Sequence, residues 1–414
     1  MNVRGDSEIR GIKMNRLSVA IMGLGYIGLP TAAFIASKKI KVYGIDINPK
    51  VVETINQGKI HIIEPDLEGL VRYVVEKGYL VADIKPKEAD VFLIAVPTPF
   101  KDNHEPDIYY VESAIRMIIP YLRENNLVII ESTSPIGTTE KMTEIIFSER
   151  PELKDKLYIA YCPERVLPGK ILYELEYNDR VIGGINERST EKAIEFYSLF
   201  VKGNLHRTNV KTAEMCKLVE NAYRDVNIAF ANELSLICDK IGINVWELIE
   251  LANKHPRVNI LKPGVGVGGH CIAVDPWFIV SQFPEEARLI KTAREINDYK
   301  PLWVAKKIEE MIIEFKERYG REPVIGCLGL AYKPDVDDLR ESPALKIVEI
   351  LMKKGYKVKA NEPNVHQEVI KDSIKNYTIE EVINSSDLLF LLVLHRVYNN
   401  FLNNLSLKSK LCYF

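Results

Sequence analysis

Cys271 stands in the run Gly264-Val265-Gly266-Val267-Gly268-Gly269-His270-Cys271-Ile272-Ala273-Val274-Asp275-Pro276-Trp277, where four of six consecutive positions are glycine. With no side chains between backbone and ligand, such a loop can press against a substrate and present one thiol to it. Free cysteines are most often inert packing. Here a carboxylate, Asp275, follows four residues later, and a thiol with an acid in reach is equipment for covalent catalysis at a carbonyl carbon.

A second constellation lies near the N-terminus. Gly23, Gly25 and Gly28, with Tyr26 and Ile27 between the last two, form a G-x-G-x-x-G turn that follows an expected strand and opens an expected helix. The first N–H groups of such a helix can take a pyrophosphate. Asp46 closes the next strand at the spacing of the acid that binds an adenosine ribose. A carboxylate there repels a 2′-phosphate, so NAD is expected over NADP. Pro97, Thr98 and Thr133 follow later apolar runs and are expected along the same cofactor. A thiol beside a nicotinamide points to aldehyde chemistry. Thr133, after Glu131-Ser132, and Glu164, after Cys162-Pro163, are candidates to position water or a proton at the reacting carbon.

Lys217, Glu220, Asn221 and Arg224 recur at helical spacing and share one face. Lys217 and Asn221 can donate hydrogen bonds to an oxygen that gains negative charge. Arg257, Lys262, Lys333 and Arg340 flank the glycine loop and a later strand-turn segment, and are the cations assigned to nucleotide phosphates, Arg340 on the cofactor side. His255 and His270 have no spacing that makes a metal site. No metal is expected.

Such residues need rigid elements to hold them. The runs Leu17–Met22, Lys41–Ile45, Val91–Val96, Leu127–Ile130 and Leu157–Tyr161 are nearly continuously apolar, as strands of a parallel sheet covered on both faces are. The segments Gly23-Leu24-Gly25, Asp46, Pro97-Thr98-Pro99, Ser132-Thr133 and Pro163-Glu164 directly follow them and are expected to line one crevice at the strands' carboxyl ends. From Thr212 to about Lys240 there is no Gly or Pro, Glu214 falls in the first turn and Gly242 lies just past the end. That reads as one long spine helix capped by Thr212, with apolar residues that supply a dimer interface. A second α/β unit starts at Pro323, with a strand at Val324–Leu330, a helix at Pro343–Lys354 and a strand at Tyr356–Ala360. Its Lys357-Val358-Lys359-Ala360-Asn361-Glu362 echoes Lys41-Val42-Tyr43-Gly44-Ile45-Asp46, but only Gly326 and Gly329 occupy its first turn, so no dinucleotide is assigned to it.

The expected fold class is therefore α/β, two Rossmann-like parallel-sheet domains facing each other and joined by a central helical domain with a long spine helix. The divisions expected are an N-terminal extension over 1–13, an NAD-binding domain over 14–205, the helical domain over 206–305 and a second Rossmann-like domain over 306–414. With 414 residues, 47% of them hydrophobic and 27% charged, the chain can bury two or three cores. Its formal net charge of −2 lacks the basic excess of a nucleic-acid binder. The six cysteines, at 162, 216, 238, 271, 327 and 412, make no C-x-x-C pair, which argues against zinc ribbons and secreted disulfide scaffolds and for a reducing cytoplasm. No apolar run approaches membrane-spanning length. Met1 to Lys13 mix Arg4, Asp6, Glu8 and Arg10 without the apolar core of a signal peptide, and Met14 is the expected functional start.

Taken together, Gly23 to Gly28, Val96-Pro97-Thr98-Pro99, Glu131-Ser132-Thr133, Cys162-Pro163-Glu164, Lys217 to Arg224, Gly264 to Asp275 and Leu328 to Ser342 resemble the UDP-glucose/GDP-mannose dehydrogenase family, from about Leu17 to about His395. Members oxidise the C6 hydroxyl of a nucleotide sugar twice, to a uronic acid. The resemblance implies that Cys271 is the nucleophile, that Lys217 and Asn221 stabilise the oxyanion and that Asp275 assists base chemistry. It implies a UDP-sugar partner held by Glu164, Arg165, Val166, Lys217, Asn221, Arg224, His255, Arg257, Lys262, Gly264, Gly268 and Lys333. It further implies a homodimer or higher homo-oligomer in which Arg257 reaches a neighbouring subunit's substrate. The residues around Cys271, from His255 to Lys262 and from Gly269 to Phe278, resemble members acting on UDP-N-acetyl-D-mannosamine more than those acting on UDP-glucose. At the other end, Asn399 to Phe414 lacks the expected final strand and helix, and Leu411-Cys412-Tyr413-Phe414 reads as a strand cut short.

Overall fold

A computed structural model describes residues 17–402, apart from 63, 102–103 and 168, together with 411–413. The chain divides into two compact units, Met1–Val219 and Glu220–Phe414. The N-terminal extension read over 1–13, and Met14, lie outside the described residues.

The first unit is built on eight strands: β1 (Ser18–Met22), β2 (Lys41–Ile45), β3 (Leu80–Asp83), β4 (Val91–Ile94), β5 (Leu127–Ile130), β6 (Tyr158–Tyr161), β7 (Arg180–Gly184) and β8 (Leu205–Asn209). Their order is β3-β2-β1-β4-β5-β6-β7-β8. Alternate residues of one strand serve opposite faces. Val19 and Ile21 of β1 join one apolar cluster while Ala20 and Met22 join the other, and β4 divides in the same way, with Leu93 in the first and Phe92 and Ile94 in the second. Both faces are covered, which is why these strands read as unbroken apolar runs. The order reverses between β1 and β4, so the loops after β1, β2, β4, β5 and β6 gather at one edge around the switch point.

The sheet departs from the all-parallel expectation at β7, which runs antiparallel to β6 with Tyr161 opposite Gly183. Arg180 opens β7, and its guanidinium reaches the Glu164 carboxylate, just past the end of β6, at 3.1 Å. β8 leads directly into the spine helix, Val210–Ile241. The cap expected at Thr212 is instead Asn209, whose Oδ1 accepts the Thr212 N–H at 2.9 Å. A short amide side chain at the strand end reaches the third N–H of the helix, whereas Thr212 already lies inside the first turn.

The second unit contains the rest of the spine, helices Val245–Ala252, Asp275–Gln282 and Arg288–Tyr319, and a parallel sheet. Its strands are β9 (Val324–Leu328), β10 (Lys357–Asn361), β13 (Leu388–Leu391) and β14 (Leu411–Tyr413), ordered β10-β9-β13-β14, and β11 (Val369–Lys371) and β12 (Ile374–Lys375) form a separate antiparallel pair. Leu411–Tyr413, read as a strand cut short, forms the edge strand beside β13. Glu362, the counterpart of Asp46, is fully buried. It accepts the Leu330 and Ala331 N–H groups at 2.7 and 2.8 Å and pairs with His395 at 3.1 Å, so here the acid is spent on its own loop. Among the described residues no helix is long and apolar enough to cross a membrane.

Candidate active site

At the switch point, Gly23 has φ of +90°, and an added Cβ would meet the Ala95 carbonyl oxygen at 2.7 Å. At Gly28 it would strike the Gly23 carbonyl oxygen at 1.8 Å, while at Gly25 it would meet nothing within 4 Å. The first and third glycines thus close the turn, and the second leaves open backbone for a ligand to approach. The helix that follows, Gly28–Ser37, has no acidic residue in its first turn, so its N–H groups are unopposed for an anion. Asp46, partly exposed, accepts the Leu24 and Asn48 N–H groups at 3.0 and 2.9 Å and keeps lone pairs for a ribose diol. These residues fit a dinucleotide. Tyr26 and Ile27 lie in the turn, Pro97 is exposed and Thr98 half-buried on the loop after β4.

Thr133 follows β5. Ser132 ties that loop to the β4 loop by donating to Val96 O at 2.7 Å. Farther along, Glu214 of the spine helix, fully buried, accepts the Gly137 and Thr139 N–H groups at 2.6 and 2.8 Å and the Thr139 hydroxyl at 2.7 Å. It thereby caps helix Thr138–Glu149, whose N-cap, Gly137, has no side chain. Burial raises the Glu214 carboxyl above the usual range, against the pull of these donors.

Lys217 and Glu164 come together through the backbone: the lysine Nζ donates to Glu164 O at 2.8 Å. The Glu164 carboxylate faces inward, with Oε2 3.1 Å from Arg180 and Oε1 accepting the Arg165 N–H at 2.7 Å. Arg165 donates to Asp179 O at 3.2 Å, and Val166 packs against the first apolar cluster.

In the second unit Asn221 donates to Asp275 Oδ2 at 2.6 Å, and both are buried. Asp275 opens helix Asp275–Gln282, and its N–H donates to Cys271 O at 2.8 Å, so acid and thiol share one turn. Asn232 of the spine accepts the Gly264 N–H at 2.9 Å and donates to Asn297, anchoring the start of the glycine loop. The glycines were expected to clear space for a ligand, but most clear space for protein. An added Cβ would meet Pro343 at 2.8 Å from Gly266, the Glu341 carbonyl oxygen at 2.5 Å from Gly268, and the Tyr332 ring at 2.8 Å from Gly269, while only Gly264 of the four is open. Burial, then the electrostatics of the neighbouring Asp338 and Cys271, raise the Tyr332 hydroxyl above its ordinary range, so it stays protonated at neutral pH.

Arg340 pairs with Asp338 at 2.6 Å. Burial opposes ionisation of Asp338, but the Arg340 hydrogen bonds outweigh it and hold the carboxyl below its usual range. Lys333 lies 5.7 Å from the Tyr332 ring centre. Arg224, His255, Arg257 and Lys262 are exposed, and Arg257 and Lys262 have no ion-pair partner among the described residues. Sequence reasoning missed Glu131, Arg180, Tyr197, Tyr332 and Asp338. Glu131 had a signal, an acid closing a wholly apolar strand.

Three family models cover most of the chain: the UDP-glucose/GDP-mannose dehydrogenase family NAD binding domain over residues 17–201, its central domain over 211–299 and its UDP binding domain over 326–412. A relative from Campylobacter jejuni, a UDP-N-acetyl-D-mannosamine dehydrogenase, is 54% identical over 400 residues, covering 93% of this chain and 97% of its own. An NDP-N-acetyl-D-galactosaminuronic acid dehydrogenase from Ralstonia nicotianae is 52% identical over 401 residues, covering 94% and 93%. The solved structure of UDP-D-ManNAc dehydrogenase from Pyrococcus horikoshii matches with a TM-score of 0.86 at 41% identity, covering 96% of this chain and 94% of that one.

Proposed function

The chain belongs to the UDP-glucose/GDP-mannose dehydrogenase family, with an NAD-binding first domain, and from that premise we propose that it oxidises UDP-N-acetyl-D-mannosamine twice at C6, to UDP-N-acetyl-D-mannosaminuronate. The observation that carries the chemistry is Cys271 one helical turn before Asp275, with Asp275 held by Asn221. NAD, when bound, accepts the hydride of each oxidation. Asp275 assists removal of the C6 hydroxyl proton, and the first oxidation leaves an aldehyde. The Cys271 thiolate adds to it, and Lys217 and Asn221 donate to the oxygen that becomes negative. The second oxidation turns this thiohemiacetal into a thioester. Water then cleaves the C–S bond, releasing the carboxylate and restoring the thiol. Arg257 and Lys262 serve the nucleotide phosphates, Arg257 that of a neighbouring subunit.

The sugar is the finer part of this reading, supported by the residues around Cys271 and by the Campylobacter relative. The Ralstonia relative favours a second reading, in which the sugar is N-acetylgalactosamine-like. Rates of NADH formation with UDP-N-acetylmannosamine, UDP-N-acetylgalactosamine, UDP-N-acetylglucosamine and UDP-glucose separate them. The mannosamine sugar is expected to give the highest kcat/KM, with two NADH per sugar. Cys271→Ala is expected to abolish uronate formation while UDP-sugar and NAD still bind. Near-normal acid formation by that variant excludes the covalent route, and preference for another sugar reassigns the substrate within the family.

A further inference from the structure

At the carboxyl end of β6 the first unit buries a cation with two carboxylates. The Arg180 guanidinium donates to Glu164 Oε2 at 3.1 Å, stands 3.9 Å from Glu131 Oε1 and lies 4.9 Å from the Tyr197 ring centre. The Tyr197 hydroxyl donates to Glu131 Oε1 at 2.5 Å. Arg180, Glu131, Glu164 and Tyr197 are only 4%, 3%, 8% and 1% exposed. Charges buried this deeply cost desolvation, and apolar residues of similar volume often serve stability as well or better. Stability alone is therefore a weak reason for this cluster.

What the cluster holds is one peptide group. Glu164 Oε1 accepts the Arg165 N–H at 2.7 Å, and the carbonyl of that same peptide accepts Lys217 Nζ at 2.8 Å. A carboxylate gripped by Arg180 thus fixes the N–H end, and the carbonyl end is turned to the ammonium. Farther on, Glu64 accepts the Gly169 and Ile171 N–H groups at 2.8 and 2.9 Å, so the loop is tied at its other end as well. Among the described residues Lys217 has no carboxylate partner, which leaves this carbonyl to orient it.

We propose that Arg180 is a positioning residue for Lys217, acting through the Glu164 carboxylate and the 164–165 peptide. It rests on the reading of Lys217 as an oxyanion donor. The charge balance agrees: burial, set against the pull of Arg180 and aided by Glu164, pushes the Glu131 carboxyl up to about 7, so it competes less for the guanidinium than a fully ionised carboxylate would.

A double-mutant cycle tests this, with kcat measured for wild type, Arg180→Gln, Lys217→Ala and the double variant on the UDP-sugar the wild type prefers. Lys217→Ala is expected to lower kcat by roughly 10²- to 10³-fold. Arg180→Gln is expected to lower it by roughly 10- to 10²-fold, the cost of a slightly misplaced group, with NAD affinity near wild type and a lower thermal midpoint, since the buried carboxylates lose their cation. In the Lys217→Ala background the Arg180 change should cost almost nothing further, because the group it aims is gone. Losses that multiply, or an Arg180→Gln enzyme of wild-type kcat, overturn the proposal. A normal kcat for Lys217→Ala instead overturns the reading of Lys217, a separate failure. If Arg180→Gln does not fold, Arg180→Lys, which keeps the charge without the fork, enters the same cycle and is judged by the same non-additivity.

Discussion

Asp46 and Glu362 each directly follow the second strand of their unit, β2 and β10, yet only one is open to a ligand. Glu362 is buried and its oxygens are occupied by backbone and His395. Asp46 is partly exposed and holds two N–H groups. Its charge should therefore discriminate between cofactors, since like charges brought together cost several kcal/mol. Asp46→Asn, which retains an acceptor for the loop, is expected to narrow the kcat/KM preference for NAD over NADP by roughly tenfold or more. An unchanged ratio removes Asp46 from that role. The glycine turn between β1 and its helix, with Asp46 after β2, was legible in the sequence because a tight strand-to-helix turn demands glycine at fixed spacing. Glu131, Arg180 and Glu214 were not, because charged residue types read as surface until a fold supplies partners for them.

Among the elements, the strands with unbroken apolar runs were legible with nearly correct ends. The misses have local causes. The strand expected over Val324–Leu330 stops at Leu328 because the N–H groups of Leu330 and Ala331 turn to Glu362. β7 was not foreseen, since its direction depends on how residues 162–179 return and no pattern in them encodes that. The spine helix was legible from its lack of Gly and Pro, but its effect on a neighbour was not: Glu214 supplies the cap that helix Thr138–Glu149 lacks. Removing it leaves the buried N–H and hydroxyl of Thr139, and the half-buried N–H of Gly137, unpaired, at about 1–3 kcal/mol for each buried group. Glu214→Ala is expected to lower the thermal midpoint by several degrees and to reduce kcat through the loop bearing Thr133, with Glu214→Gln milder in both. A Glu214→Ala protein that melts like the wild type shows that the cap carries no weight.

At the scale of the molecule, each unit contains ionisable groups out of reach of water. In the second unit Asp225 and Arg294 pair at 2.6 Å between the two long helices, and Asn297 joins Asp225 to Asn232 and so to the glycine loop. Nearby, Lys300 is 1% exposed, with its ammonium 2.5 Å from Ser235 Oγ and 4.2 Å from the Trp303 ring centre. Burial lowers its pKa to about 8, against the weaker pull of Asp239. An unfolded lysine keeps its proton to about 10.4. Between these values the unfolded chain holds a proton that the folded one has released, so the contribution of Lys300 to stability rises with pH across that window. The corresponding group in the first unit, Glu131, pushed up to about 7 mainly by burial, acts with the opposite sign at lower pH, its contribution falling as pH rises from its unfolded value toward about 7. Lys300→Met removes the upper term alone. Relative to wild type, its stability is expected to fall by on the order of 1 kcal/mol per pH unit between about pH 8 and 10, read as a shrinking difference in thermal midpoint. A difference that stays constant over that range shows that Lys300 keeps an ordinary proton affinity in the fold.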